Sequence, residues 1–106
     1  MIRADFYRSR ENKLLGFHIS GHAGLAEEGY DVACAAVSSA VMMTCNTVTD
    51  VFKIDAKVDV DENDILLKLG NDSEGNGDRL LLGLMLQLDM ISQEYPSAVK
   101  ISVNDR

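Results

Sequence analysis

Residues 13–40 read KLLGFHISGHAGLAEEGYDVACAAVSSA, and the period of their apolar residues changes part-way along. From 13 to 20 the side chains alternate. Leu15, Phe17 and Ile19 fall on one face, Leu14, His18 and Ser20 on the other, as in a half-buried strand. Residues 21–33 break that pattern, with Gly21, Gly24 and Gly29 around Glu27 and Glu28. A loop of about a dozen residues is long for a small domain, and such loops are often functional. Asp31 stands where a helix N-cap would stand, and the helix is predicted over about Val32 to Phe52.

Upstream, Ile2, Ala4 and Phe6 alternate with Arg3 and Asp5, so residues 2–7 read as a strand. The polar run RSREN (8–12) turns the chain, and the two strands make a hairpin. Downstream, Ala56, Val58 and Val60 alternate with Lys57 and Asp59 over 54–60. DENDI (61–65) is a turn, and Ile65, Leu67 and Leu69 share one face of the next strand. GNDSEGNG (70–77) is a polar loop. Leu80, Leu81, Leu84, Leu88 and Ile91 then recur at helical spacing over 78–95. Tyr95-Pro96 ends that helix, because the residue before proline disfavours the α region. Val99, Ile101 and Val103 form a last strand.

The order is ββαββαβ. Alternating strands mean a sheet with one face buried, and two amphipathic helices are the available cover. The fold expected is α+β, a two-layer domain with a five-stranded sheet covered by two helices. Periodicity does not give the strand order.

At 106 residues the chain is expected to be one domain, residues 1–106. Ten Lys and Arg against 17 Asp and Glu leave a charge of −7, which excludes a general nucleic-acid binder and suits a basic partner. No apolar stretch follows the charged opening MIRADFYRSR, so no secretory signal is read there. The weakly polar run Val32 to Met43 falls short of the ~20 residues of a bilayer span. A soluble, cytoplasmic protein with no membrane partner is expected, its two cysteines held as thiols.

The chemistry is concentrated in residues 21–40. His22 follows a strand, and Cys34 falls in the first turn of a helix. A thiol near a helix N-terminus feels the positive end of the macrodipole, which favours thiolate. Free backbone N–H groups there can hold an oxyanion. A histidine within reach could take the thiol proton and return it to a leaving group. Asp31 could cap the helix or orient the imidazole, capping being the cheaper role because its charge opposes a thiolate. Ser38 lies one turn beyond Cys34 on the same face.

Plain packing competes with this reading. Free cysteine is among the most buried residue types, and a run such as ACAA suits close helix–sheet contact. Cys45 lies eleven residues after Cys34, about 16 Å along a helix, too far for a disulfide, and is simplest as a core residue. A zinc site from His18, His22 and Cys34 lacks a CxxC pair and is weakly signalled. The turn DVDEND (59–64) is not a calcium loop, since Asp64 and Gly70 stand where glycine and glutamate are needed. No metal and no cofactor is expected.

Gly21-His22, Gly29, Asp31 and the run Cys34-Ala35-Ala36-Val37-Ser38 resemble the hallmark of the ribosomal-processing cysteine proteases of bacteria, the Prp family. Length, element order and the Leu-rich helix ending at Tyr95-Pro96 extend the likeness over essentially the whole chain. One departure is Ala33, where a larger aliphatic residue is usual; it touches no catalytic role. The resemblance implies a cysteine endopeptidase that trims the N-terminal extension of a large-subunit ribosomal protein precursor, next to aromatic residues. On it, Cys34 is the nucleophile working through a thioester, and His22 the general base and acid. Gly21 and the 23–30 loop form a mobile cover, and Asp31 and Ser38 support the site. It also implies a homodimer. The alternative from another class is a non-enzymatic dimeric binding module for a ribosomal or ribosome-assembly partner.

Overall fold

The computed structural model describes residues 1–21, 30–62 and 64–105, with the side chains of Tyr30 and Asp31 left out. The elements are β1 (Ile2–Arg8), β2 (Leu14–Ser20), α1 (Tyr30–Asn46), a π-helical turn (Thr47–Val51), β3 (Ala56–Val60), β4 (Asp64–Leu69), α2 (Asn76–Glu94) and β5 (Val99–Asp105). The expected ββαββαβ order is the order observed. The five strands form one sheet in the order β3-β4-β2-β1-β5. All neighbours are antiparallel except β1 and β5, which run parallel from Ile2↔Val99 to Arg8↔Asp105.

One sheet face carries Ile2, Ala4, Phe6, Phe17, Ile19 and Leu67, all buried. Phe6 and Phe17 sit opposite each other across β1 and β2, with ring centroids 5.9 Å apart. Leu81, Leu84, Leu88 and Ile91 of α2 cover this face, as the helical spacing predicts. The α1 stripe is Ala33, Val37, Val41 and Cys45, every fourth residue, followed by Val48. Residues Val32–Val51 are long and apolar enough to cross a bilayer, with mean hydropathy 1.4. The run Val32 to Met43 therefore understates the apolar length. In the fold the stripe packs into the core.

Several details depart from the sequence reading. Leu15 was expected inward and Leu14 outward, yet Leu14 is buried and Leu15 is 39% exposed. The pairing steps from Tyr7↔Gly16 to Arg8↔Leu14, so Leu15 is the extra residue of a bulge, which reverses the alternation. The first helix starts at Tyr30, so Asp31 lies inside it and is not its N-cap. It ends as an α-helix at Asn46, where Phe52 N–H reaching Thr47 C=O at 2.9 Å marks the wider π turn.

The second helix begins at Asn76, two residues before the predicted start, because Asp72 caps it from a distance. Its carboxylate accepts from the N–H groups of Gly77 at 2.9 Å and Asp78 at 3.0 Å. Gly75, at φ 76°, turns the chain into position. Asp78 then accepts from Leu14 N–H at 2.7 Å, which ties α2 to the bulged end of β2.

Candidate active site

Sheet topology gathers one end of four strands. Because β1, β2, β4 and β3 alternate in direction, the start of β1, the end of β2, the start of β4 and the end of β3 meet at one rim. Residue 21 leaves β2 at this rim. The N-terminal part of α1 lies over it and brings Cys34 to the strand ends.

The result is a cleft of ≈ 150 Å³. Cys34, Val37 and Ser38 come from α1, and Ile2, Ile19 and Gly21 from β1 and the end of β2. The β3–β4 hairpin supplies Val60, Asp61, Glu62, Asp64 and Ile65. Cys34 is a free thiol, half-buried, and Ser38 one turn on is exposed. Cys34 is the fifth residue of α1, two residues further in than expected and past its first turn. The dipole acts on it less than on a first-turn thiol, since that effect fades within the first turn.

Gly21 has φ +87°, and a Cβ there would lie 2.4 Å from the Met1 carbonyl oxygen. Both facts demand glycine at the point where the chain leaves β2. His22 and loop residues 23–29 lie outside the described residues, as does the Asp31 side chain.

His18 is not part of the cleft lining. It alternates with buried Phe17 and Ile19, so it faces the side of the sheet away from the helices. There its Nε2 lies 3.2 Å from Asp64 Oδ1. The fold therefore puts His18 and Cys34 on opposite sides of the sheet, which removes the zinc set of His18, His22 and Cys34. Among the described residues no group of three His, Cys, Asp or Glu is placed to hold a metal.

Cys45 is 4% exposed in the core, and burial pushes its thiol pKa up. It is inert by position, as the sequence suggests. Local pattern does not point to the hairpin residues in the cleft. DVDEND stands out as acidic, but only the strand order brings it beside Cys34.

The family model of the cysteine protease Prp matches residues 1–100. The chain belongs to the Prp family of cysteine proteases. A relative, the ribosomal processing cysteine protease Prp of Bacillus subtilis, is 26% identical over 110 residues, covering 98% of each chain. The crystal structure of the essential ribosomal processing protease Prp from S. aureus, in complex with a substrate peptide, superposes with a TM-score of 0.88. It is 20% identical, covering 98% of this chain and 100% of that one. The same S. aureus protein with a covalently linked product peptide gives 0.85 over all of both chains, also at 20% identity. SMU.848 from Streptococcus mutans gives 0.87 at 24% identity, over 100% of this chain and 99% of that one. The two-layer fold is thus a Prp fold, and the enzyme class is cysteine protease.

Proposed function

We propose that this protease cuts the N-terminal extension from a precursor of a large-subunit ribosomal protein, through a thioester on Cys34 with His22 as general base and acid. The observation that carries the reading is the position of Cys34. It is a free, half-buried thiol lining an open cleft at the rim of a Prp fold. The other thiol is sealed in the core.

The steps follow ordinary thiol chemistry. His22 takes the Cys34 proton, and the sulfur attacks the scissile carbonyl. His22 then gives the proton to the departing amine, which leaves an acyl thioester. A water, deprotonated by His22, hydrolyses that ester and restores the thiol. Gly21 sets the departure of the His22 segment from β2. Ser38 and Asp31 support the site from α1.

The ribosomal substrate rests on the names of relatives. The Bacillus subtilis protein is a ribosomal processing protease, and the S. aureus protein has been solved with a substrate peptide. The S. aureus protein has also been solved with a covalently linked product peptide. The charge of −7 favours encounter with a basic precursor in the cytoplasm. Leu82, Leu86 and Met90 recur on α2 at 49, 61 and 63% exposure, an apolar stripe that suits a homodimer.

The deciding experiment mixes the enzyme with the N-terminal peptide of the host's own precursor and reads the products by mass spectrometry. One cut that vanishes in Cys34→Ala is the expected result. An uncut peptide with the Cys34 thiol intact would overturn the assigned substrate, and stoichiometric capture of that peptide would favour a binding module.

A further inference from the structure

Strand β3 is one of the two edges of the sheet, and it ends at the cleft. Gly70 N–H donates to Asp55 C=O and Asp61 N–H to Asp64 C=O, both at 2.7 Å, at the two ends of the β3–β4 pairing. In an antiparallel ladder only alternate residues bond to a given neighbour. Asp55, Lys57, Asp59 and Asp61 therefore bond to β4, and the N–H and C=O groups of Ala56, Val58 and Val60 point outward. Among the described residues no other backbone group bonds to them.

The side chains of the same three residues lie on the helix side of the sheet, since Val58 is opposite buried Leu67. Val58 is half-buried, and Val60 is 61% exposed and lines the cleft. Helix α1 starts at the rim where β3 ends, and at the other end Ile54 N–H donates to Val48 C=O at 2.9 Å. Helix and strand thus run side by side in opposite directions, and Cys34 and Ser38 line the same cleft as Val60. An edge that must stay unpaired is usually blunted by proline, a bulge or an inward charge. Strand β3 has none of these. Its register with β4 is unbroken, and its charges, Lys57 and Asp59, stand on the face away from the helices. The other edge, β5, contributes no residue to the cleft.

We propose that the substrate docks as an added strand on β3, exchanging backbone bonds with Val58 and Val60 and turning every second, apolar side chain towards α1. The occupant is a peptide because the last outward-bonding residue, Val60, also lines the cleft that holds Cys34. A strand laid on this edge therefore leads a chain to the thiol. The three free positions span about 13 Å at ~3.3 Å per residue, the reach of a short extended segment. This rests on Cys34 being the nucleophile. It assigns main-chain recognition, which net charge does not give, and it ties affinity to alternate residues of the peptide.

The test is an amide-to-ester scan of the N-terminal precursor peptide, with one ester at each position except the scissile bond. Initial-rate kcat/KM is read on the unaltered enzyme, and affinity by fluorescence anisotropy on Cys34→Ala. The expected result is a loss of about 5-fold at two positions two residues apart, and less than ~2-fold at the position between them, as removal of single hydrogen bonds predicts. Val58→Pro removes an outward N–H without touching the ladder to β4, and edge strands accept proline at such positions. It should lower kcat/KM at least ~10-fold, through KM, while iodoacetamide still labels Cys34 at the unaltered rate. Val103→Pro is the control. Ile2 N–H bonding to Ala98 C=O sets the even-numbered residues of β5 towards β1, so Val103 N–H points outward on the edge away from the cleft. Its kcat/KM should be unchanged. The scan needs no variant in β3 and decides alone should Val58→Pro not fold.

An even response along the peptide, or an unchanged kcat/KM in Val58→Pro, would overturn docking on β3 while leaving the protease reading intact. Gel filtration showing a dimer that Val58→Pro dissolves would also overturn it, and give the edge to a second copy of the chain. Losses at alternate positions in binding to Cys34→Ala, with no cleavage by the unaltered enzyme, would uphold the docking and overturn Cys34 as the nucleophile on this substrate.

Discussion

Cys34 and Cys45 belong to the same helix, yet one lines an open cleft and the other is 4% exposed in the core. Their reactivities should differ accordingly. Burial holds the Cys45 pKa above its ordinary value, so near neutral pH its thiolate is scarce and its sulfur is shielded. Iodoacetamide labelling followed by mass spectrometry should modify Cys34 at least ~10-fold faster. Raising the pH should bring Cys45 into reaction only later than an exposed thiol, or on unfolding. Equal, slow labelling of both thiols would mean that Cys34 is a packing residue.

Substitution separates the two thiols in the same way. Cys34→Ala and Cys34→Ser should each lower cleavage by ~10³-fold or more, as loss of a nucleophile does. His22→Ala should fall alongside them. Cys45→Ala should keep cleavage but unfold more easily, by about 1–2 kcal/mol, because it opens a small void beside Val41 and Val48. Urea titration of each variant, run beside the peptide assay, measures both quantities.

Two glycines with positive φ should respond differently to alanine. At Gly21 a Cβ would strike the Met1 carbonyl oxygen, in addition to the strain of φ +87°. Gly21→Ala should cost about 1–3 kcal/mol and depress turnover, because the His22 segment departs from this point. At Gly75 the nearest atom to a Cβ is the Arg79 guanidinium at 3.6 Å, so only the conformational term remains, about 1 kcal/mol. Gly75→Ala should leave cleavage unchanged. Thermal melts with parallel rate measurements check the contrast.

Asp72 caps α2 through two backbone N–H groups at once. Asp72→Ala should destabilise by about 1–2 kcal/mol, which in a domain of this size lowers Tm by roughly 4–8 °C per kcal/mol. Asp72→Asn keeps one acceptor oxygen and should lose about half as much. Differential scanning calorimetry reads both, and neither should alter cleavage, since Asp72 is remote from the Cys34 rim.

The five strands and two α-helices were legible from local pattern, because each strand alternates and α2 buries its leucines at helical spacing; the π-helical turn after Asn46 was not. What was not legible depends on contacts distant in sequence. The Leu14–Leu15 reversal comes from a bulge that exists only once β2 pairs with β1. The early start of α2 comes from Asp72, four residues before Asn76 and too far for a local N-cap rule. That Cys34 and Ser38 share one helix face was legible from sequence, and both line the cleft. The nearness of Asp61, Glu62 and Asp64 to Cys34 was not, since it follows from β4 pairing with β2, which periodicity does not encode.

The parallel pairing of β1 with β5 has a bearing on how the enzyme is made. Ile2, which lines the cleft, donates its N–H to Ala98 C=O at 2.9 Å, and its strand is flanked by residues 99–105. β1 is synthesised before β5 and thus waits for it before this side of the sheet closes. Such non-local closure is slow, and it leaves a partly synthesised chain with an exposed strand edge. The rim around Cys34 is completed only when synthesis has passed Val99, so a truncated or stalled chain carries the cysteine without the finished cleft.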